Sequence, residues 1–266
     1  MKCQPSQGAP LAVLFFLHGF SDHSNIHYSL FPTLASRNIE VVAFDQRGYG
    51  RSVKDKASRG ATGPTLTVLA DITSVIEAYL PRIKVPIFLM GHSMGGAETL
   101  YYAAHGPAHV HDRIKGYIAE SPWIGLHPSA QPNKITVAAG RMISKILPRQ
   151  QRLVDLDPKT ISRDVTVGEE FANDKLCHNT GTLTGLAGCF ERAEQLASGL
   201  AMPDNGTSVL LAHGTADLVT SYDASKRFVE NLKVKDKEFK SYDGWYHKCM
   251  LRTPHPSFDD WKLTYL

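Results

Sequence analysis

The stretch 85–96 reads VPIFLMGHSMGG and decides the fold. Its first half is a continuous apolar run, which is typical of a strand buried on both faces of a sheet. Its second half places Ser93 between Gly91 and Gly95, and residues 94–104 after it predict a helix. A sharp strand-to-helix turn lifts a serine hydroxyl out of the backbone, and it closes only where the residues two before and two after are small. The stretch therefore predicts Ser93 as a nucleophile on a strained turn.

Chance matches to this pattern are common. A bare G-x-S-x-G is expected in roughly one chain in ten of this length. The alternative interpretation is a glycine-rich turn with an incidental serine. The buried strand and the apolar helix around Ser93 favour the nucleophile, because the N-terminus of that helix would also stabilise a developing negative charge.

Five further runs in the chain have the character of strands. They are 11–17 (LAVLFFL), 39–45 (IEVVAFD), 114–120 (IKGYIAE), 207–214 (TSVLLAHG) and 237–243 (KEFKSYD). The last alternates polar and apolar residues, which is typical of a strand near an edge. The segments 65–80 and 222–232, which lie between predicted strands, have the apolar periodicity of helices. This alternation predicts an α/β fold with a doubly wound, mostly parallel sheet and right-handed crossovers.

The interval 122–186 interrupts the alternation. It contains an amphipathic segment, 135–147, and no strand-like run. We predict a helical cap inserted between core strands, over the carboxyl ends of the sheet, where such sheets bind ligands. The alternative is an irregular surface excursion, which is uncommon at this length. The predicted division is a first core part at 1–121, the cap at 122–186 and a second core part at 187–266.

An oxyanion hole is expected beside the nucleophile, because a tetrahedral intermediate needs two preorganised N–H donors. The residue after the nucleophile, Met94, can supply one. The loop after the first long strand can supply the other, and there we expect the N–H of Phe20. The alternative is a simple turn at the end of that strand. His18 is expected to be structural, because the general base should come last in the chain order.

The acid and the base are each expected in a loop directly after a strand. Asp217 follows one predicted strand, and a carboxylate there can orient an imidazole and stabilise its protonated form. Its rival, Asp223, lies at the start of the next helix, where an aspartate is typical of a cap. His247 follows the last predicted strand and completes the order serine, acid, histidine. The rival base, His255, lies in a proline-bracketed loop.

Composition limits the classes of protein that the chain can represent. It has 266 residues, of which 42% are hydrophobic and 21% charged, and a formal net charge of +3. The two signs of charge are mixed, so we expect no nucleic-acid partner and no polybasic anchor. The apolar run at 11–17 is too short for a membrane span and lacks a signal-peptide cleavage pattern.

The cysteines indicate the compartment. Four are present, Cys3, Cys177, Cys189 and Cys249, and their spacing does not match a metal site. A cytoplasmic protein with free thiols and no metal is the simplest interpretation. A pairing of Cys177 with Cys189 stays open.

Five motifs follow one another at fitting intervals: FFLHGFSDHS, FDQRGYGRS, MGHSMGGAETL, LAHGTADLVTSYDASKRF and GWYHK. Together they resemble the monoglyceride lipase and lysophospholipase branch of the α/β-hydrolase superfamily. The resemblance implies the α/β-hydrolase fold, without a metal or a cofactor, and a structural role for Asp45. It also assigns the family's roles to these positions: Ser93 as nucleophile, Asp217 as acid, His247 as base, and Phe20 and Met94 as oxyanion donors.

The resemblance implies a serine hydrolase that cleaves carboxylic esters through an acyl-enzyme, with monoacylglycerol as the leading substrate. Lysophospholipase and general carboxylesterase activities are the alternatives. An aminopeptidase would need cap acids to hold the substrate ammonium, for which Glu169, Glu170 and Asp174 are candidates. An acyltransferase would use the same triad and exclude water. From another class, a hydrolase-fold protein that binds without turnover would need no intact triad.

The resemblance also implies an apolar acyl channel beneath the cap. Ile135, Met142, Ile143 and Ile146 are the candidate substrate-binding residues, although an apolar stripe is more often plain packing. A further hypothesis is peripheral contact of the cap with a membrane or a lipid droplet. The oligomeric state stays open. Related proteins have two more strands before the one at Leu11, so the sheet is expected to be shorter or the chain to be a truncated form.

Overall fold

The computed structural model describes residues 2–5, 8–26, 29–203 and 207–249. Seven of its strands form one sheet in the order β1-β3-β2-β4-β5-β8-β9. They are β1 (Lys2–Cys3), β2 (Ala12–Leu17), β3 (Ile39–Ala43), β4 (Ile87–His92), β5 (Ile114–Glu120), β8 (Ser208–Gly214) and β9 (Asp236–Tyr242). Every neighbouring pair is parallel except β1 with β3. The α/β class, the six predicted strands and the edge position of the last one are confirmed.

The helices of the described residues lie between and beside these strands. They are α1 (Leu30–Ser36), α2 (Thr65–Tyr79), α3 (Met94–His105), α4 (Ala108–His111), α5 (Lys134–Ile146), α6 (Val165–Asn173), α7 (Leu183–Ala197) and α8 (Tyr222–Asn231). The predicted helices over 65–80, 94–104, 135–147 and 222–232 are therefore confirmed, with ends within about two residues, as is usual for helix boundaries.

Helices cover both faces of the sheet. Along β2, the side chains of Val13 and Phe15 pack on one face with residues of α2 and α3. The alternate side chains, Leu14 and Phe16, pack on the other face with α1. Successive strand residues point to opposite faces, so a strand covered on both sides must be apolar throughout. This confirms the doubly wound arrangement.

The interval between β5 and β8 is mainly helical, as predicted, and holds α5, α6 and α7. The expectation that it lacks strands is wrong, because β6 (Gln151–Leu153) and β7 (Thr180–Thr182) form an antiparallel pair. Strands of three residues are too short to leave a periodic signal. Helix α7 continues through the predicted boundary at residue 186 and packs against α3. The division into core and cap stays a prediction.

Before β2, the described residues contain one strand, β1, which has two residues and pairs with β3. No helix among the described residues is long and apolar enough to cross a bilayer. All four cysteines are free, so Cys177 and Cys189 do not pair.

Candidate active site

Ser93 lies between β4 and α3 with a φ of 55° and a ψ of −114°. A non-glycine residue with positive φ costs about 1–3 kcal/mol and persists only when its surroundings hold it. A β-carbon on Gly91 would collide with the carbonyl of Gly95. The Ser93 N–H donates to the Glu120 carbonyl at 2.9 Å, and the Ser93 carbonyl accepts the N–H of Trp123 at 3.0 Å. The predicted strained turn is therefore present and held by neighbouring backbone.

His247 and Asp217 form a buried pair beyond the ends of β9 and β8. The Nδ1 of His247 lies 2.8 Å from Oδ2 of Asp217, and both residues are buried. An Nδ1–H that donates to the carboxylate leaves the lone pair on Nε2, the tautomer that a general base needs. His247 and Ser93 line the same cavity. The rival acid, Asp223, lies in the first turn of α8, and the rival base, His255, lies outside the described residues.

The carboxylate of Asp217 is held by backbone as well as by side chains. Its Oδ1 accepts the N–H of Val219 at 2.7 Å and that of Thr220 at 2.9 Å. Burial alone would raise the pKa of Asp217. The charge of His247 and hydrogen bonds from His213 and His247 outweigh burial, so the pKa of Asp217 lies below its ordinary value. Asp217 is thus kept ionised.

Two further side chains meet the same carboxylate, and sequence analysis missed both. The Nε2 of His213 lies 3.0 Å from Asp217 Oδ2, and the Thr220 hydroxyl lies 2.9 Å from that oxygen. His213 ends β8, and Thr220 follows Asp217 by three residues. Their position in the motif LAHGTADLVT was the available signal, but the motif alone does not say which side chains face the acid.

The loop after β2 lies directly against Ser93. A β-carbon on Gly19 would lie 3.2 Å from the β-carbon of Ser93. The N–H of Phe20 in this loop and the N–H of Met94 after the nucleophile have no hydrogen-bond acceptor among the described residues. Their positions on both sides of Ser93 fit the expected oxyanion donors.

His18 and Asp45 anchor that loop from below. The buried His18 ring accepts the Gln46 N–H at its Nε2, at 2.9 Å, and burial lowers the pKa of His18. The Asp45 carboxylate accepts from the N–H of Ser24 at 2.8 Å and from the N–H of Arg51 at 2.7 Å. Burial opposes the ionisation of Asp45, but a hydrogen bond from the Ser24 hydroxyl at 2.6 Å, together with these two backbone bonds, outweighs burial and lowers the pKa of Asp45 to about 2. Both side chains therefore have structural positions.

Two buried contacts between ionisable side chains lie close to His247, and neither was predicted. His92 Nδ1 lies 2.9 Å from Glu120 Oε2, and burial together with the charge of His247 keeps the pKa of His92 well below its ordinary value. Lys248, the residue after His247, has its Nζ 3.2 Å from Oδ1 of Asp22. The partners of this second pair are 226 positions apart in the sequence.

A cavity of about 790 Å³ opens above Ser93. Its size is in the range of small-molecule sites. One end carries Ser93, His247 and the Asp22–Lys248 pair. Most of the remaining lining is apolar and comes from the interval between β5 and β8, including Leu153, Val154, Leu156, Ile161, Phe171, Leu183, Leu186 and Phe190.

The four cap residues expected to bind substrate fall into two groups. Ile135 and Ile143 line the cavity. Met142 and Ile146 do not, and they are 71% and 80% exposed. Ile135, Met142 and Ile146 are seven and four residues apart and so share one face of the helix, whereas Ile143 is turned away from the first two by about 80–100°. The face with Ile135, Met142 and Ile146 is mainly exposed, Ile135 itself being 82% exposed although it also borders the cavity.

One cluster among the described residues has the side chains of a metal site: His23, Asp174 and Cys177. The Nε2 of His23 lies 2.9 Å from Asp174, and its Nδ1 accepts the N–H of Asn25 at 3.1 Å. A ring that binds metal through Nε2 carries its proton on Nδ1 and donates it, so the Asn25 N–H opposes this use. Burial also raises the pKa of the Cys177 thiol. The cluster fits a structural contact between loops better than a metal site.

Comparison with known proteins places the chain in a family. The model of the Hydrolase_4 family, described as serine aminopeptidase S33, matches residues 8–253. The chain belongs to the Hydrolase_4 family. None of the acids considered for an aminopeptidase in this Hydrolase_4 chain, Glu169, Glu170 and Asp174, lines the cavity.

The Hydrolase_4 chain is similar to monoglyceride lipases, which confirms the resemblance given by its motifs. It is 37% identical over 243 residues to a Schizosaccharomyces pombe protein named "Putative monoglyceride lipase", covering 90% of this chain and 62% of that protein. It is 30% identical over 249 residues to the monoglyceride lipase of Saccharomyces cerevisiae, covering 88% of this chain and 76% of that enzyme.

A solved structure gives the same result for the fold. The crystal structure of a soluble variant of the Saccharomyces cerevisiae monoglyceride lipase, in complex with a substrate analog, matches with a TM-score of 0.83 and 28% identity. The match covers 93% of this chain and 82% of that one. The α/β-hydrolase fold is therefore confirmed for this Hydrolase_4 chain.

Proposed function

We propose that this chain is a serine ester hydrolase that cleaves monoacylglycerols to fatty acid and glycerol through an acyl-enzyme. The observation that carries the proposal is that Ser93 and His247 line the same cavity as many apolar side chains of the interval between β5 and β8. Such a cavity suits an amphiphile with its ester near Ser93 and its acyl chain along the apolar lining. The similarity to monoglyceride lipases supports the same substrate class.

The proposed mechanism follows from the positions of the donors and acceptors. His247 takes the proton of the Ser93 hydroxyl as Ser93 attacks the ester carbonyl, and the N–H groups of Phe20 and Met94 stabilise the oxyanion. Asp217 stabilises the imidazolium that forms. His247 then protonates the leaving glycerol and activates a water molecule that releases the fatty acid.

A fluorophosphonate probe tests the nucleophile, with the wild type compared to Ser93→Ala. We expect the wild type to be labelled and the variant not. A substrate panel then separates the alternatives: monoacylglycerols, lysophosphatidylcholine, p-nitrophenyl esters and aminoacyl naphthylamides. Preference for monoacylglycerols supports the proposal. Preference for another class would mean that this class, and not monoacylglycerol, is the substrate. A folded wild type that is neither labelled nor active would favour a protein that binds without turnover.

Peripheral membrane contact through α5 is a further part of the proposal. None of the residues of α5 is buried, and Ile135, Met142 and Ile146 are 71% to 82% exposed. The segment 134–152 also contains five basic residues and no acidic one. Exposed apolar side chains among cations suit the interface of a bilayer that contains anionic lipid.

Vesicle co-sedimentation tests this contact. We expect binding to phosphatidylcholine vesicles to increase when phosphatidylserine is added, and to fall in the double variant Met142→Glu/Ile146→Glu. The matched control is Leu66→Glu on α2, because Leu66 is equally exposed at 79% but lies outside the segment 134–152. Equal binding by the wild type and the double variant would remove the membrane contact from the proposal.

We assign the protein to the cytoplasm, in peripheral contact with membranes. The free state of all four cysteines supports a reducing compartment. Protease protection of the tagged chain in intact microsomes tests the assignment. Digestion without detergent is expected, and protection until detergent is added would contradict it.

A further inference from the structure

His213 is a second imidazole on the acid of the proposed triad. Its ring is fully buried at the end of β8. Its Nε2 lies 3.0 Å from Asp217 Oδ2, the same oxygen that faces His247 Nδ1 at 2.8 Å. On the other side of the ring, Nδ1 lies 2.9 Å from the hydroxyl of Ser225, a buried residue of α8.

The hydrogen-bond partners set the state of the His213 ring. Asp217 can only accept, so Nε2 of His213 carries a proton and donates it. The Ser225 hydroxyl can donate to Nδ1, and a neutral ring then satisfies both contacts. In this arrangement His213 brings a directed donor to the carboxylate through its Nε2–H.

Apart from His247, His213 is also the side chain whose donor is most clearly directed at Oδ2 of Asp217. The Thr220 hydroxyl has one proton and two acceptors, the Ser121 carbonyl at 3.0 Å and Asp217 Oδ2 at 2.9 Å. The two backbone N–H groups hold Oδ1 and leave the carboxylate able to tilt about that oxygen. A donor on Oδ2 from the core side removes this freedom.

We propose that His213 is a positioning residue for the ester hydrolysis, in that its Nε2–H, oriented by Ser225, fixes the Asp217 carboxylate where it receives the Nδ1–H of His247. This inference rests on the proposed function. It assigns His213 no contact with the substrate. Its loss should therefore lower kcat and leave KM nearly unchanged.

Two amide variants separate the two nitrogens of the ring. The amide nitrogen of a glutamine at 213 can take the place of Nε2 and still donate to Asp217, whereas an asparagine reaches only the position of Nδ1. We expect His213→Asn to lower kcat by roughly 10–100-fold, the size of effect seen when the residue that orients a metal-bound side chain is removed. We expect His213→Gln to stay within about fivefold of the wild type and KM to change less than about twofold in both.

A spectroscopic readout follows the contact itself. The Nδ1 proton of His247 should give a low-field NMR signal in the wild type and in His213→Gln, and this signal should broaden or disappear in His213→Asn. Ser225→Ala keeps the imidazole but removes the group that orients it. It should lower kcat by a few-fold and keeps the inference testable if His213→Asn does not fold.

The outcomes are distinguishable from failure of the proposed function. If the wild type neither reacts with a fluorophosphonate nor turns over esters, the proposed function fails. If the wild type is active and both amide variants have equal kcat, whether high or low, the positioning role of Nε2 is overturned. An unchanged kcat in Ser225→Ala would overturn the part assigned to Ser225.

Discussion

The backbone of Gly19 lies against the side chain of Ser93, so that a β-carbon at residue 19 would lie 3.2 Å from that of Ser93. The same added carbon would lie 3.2 Å from the ring of His92 and 3.4 Å from the carboxylate of Asp22. The loop that supplies the proposed oxyanion donor thus touches the nucleophile through a residue without a side chain.

Replacing Gly19 with alanine should therefore move the loop away from Ser93. We expect kcat for a p-nitrophenyl ester to fall about tenfold or more, because a displaced N–H stabilises the oxyanion less. The fall should be larger in Gly19→Val, whose side chain needs more room. Kinetics and thermal unfolding of both variants check this, and wild-type kcat in both would contradict the assigned position of Phe20.

Ile143, which lines the cavity from α5, should influence the acyl-chain preference. A tryptophan at Ile143 would fill part of the cavity, so we expect turnover of long-chain p-nitrophenyl esters to fall by about tenfold relative to short-chain ones. Ala138→Trp is the matched control, because Ala138 is an exposed residue of the same helix that does not line the cavity. An equal chain-length profile in the two variants would show that the acyl chain lies elsewhere.

Removing one charge of the Asp22–Lys248 pair should lower the free energy of unfolding more than removing both charges. Both side chains are only 3% exposed. Asp22→Asn would leave the Lys248 ammonium buried without a carboxylate, and we expect a loss of about 3–5 kcal/mol in the free energy of unfolding. Adding Lys248→Met should recover at least about half of that loss. Urea unfolding of the wild type and the variants measures the difference, and additive losses would contradict a coupled pair.

The carboxylate of Asp45 should contribute to stability only above acid pH. Because the folded protein lowers its pKa to about 2, its contribution is complete above about pH 4, the unfolded value, and is lost as the pH falls toward 2. The difference in unfolding free energy between the wild type and Asp45→Asn should be about 1–2 kcal/mol at neutral pH and should shrink over this window. Urea unfolding at several pH values checks this. A constant difference down to pH 2 would mean that the ionised form is not what these donors stabilise.

The strands and the main site residues were predictable for the same reason. Strands buried on both faces appear as continuous apolar runs, and Ser93 and Asp217 each follow the end of such a run. His247 follows the alternating run that forms the edge strand β9. Residues that directly follow these strands can therefore be predicted to lie close together, because parallel strands bring their carboxyl ends to one edge of the sheet.

The contacts around that edge were not predictable. Lys248 and Asp22 meet from opposite ends of the chain, and no local pattern links them. His213 lies in a strand that reads as an apolar run, and only the fold turns its ring toward Asp217. The helical period of α5 predicted the helix, but not which of its apolar residues line the cavity. Strands β6 and β7 are defined by their pairing with each other rather than by their own residues.

The backbone conformation of Ser93 has a consequence for the history of such a protein. Glycine would adopt the same φ of 55° without strain, so selection for stability alone would favour it at this position. The serine persists only while turnover is selected, since a functional site of this kind trades folding stability for activity. In a descendant that had kept the cavity but no longer needed the reaction, the nucleophile is where the first stabilising substitution is expected.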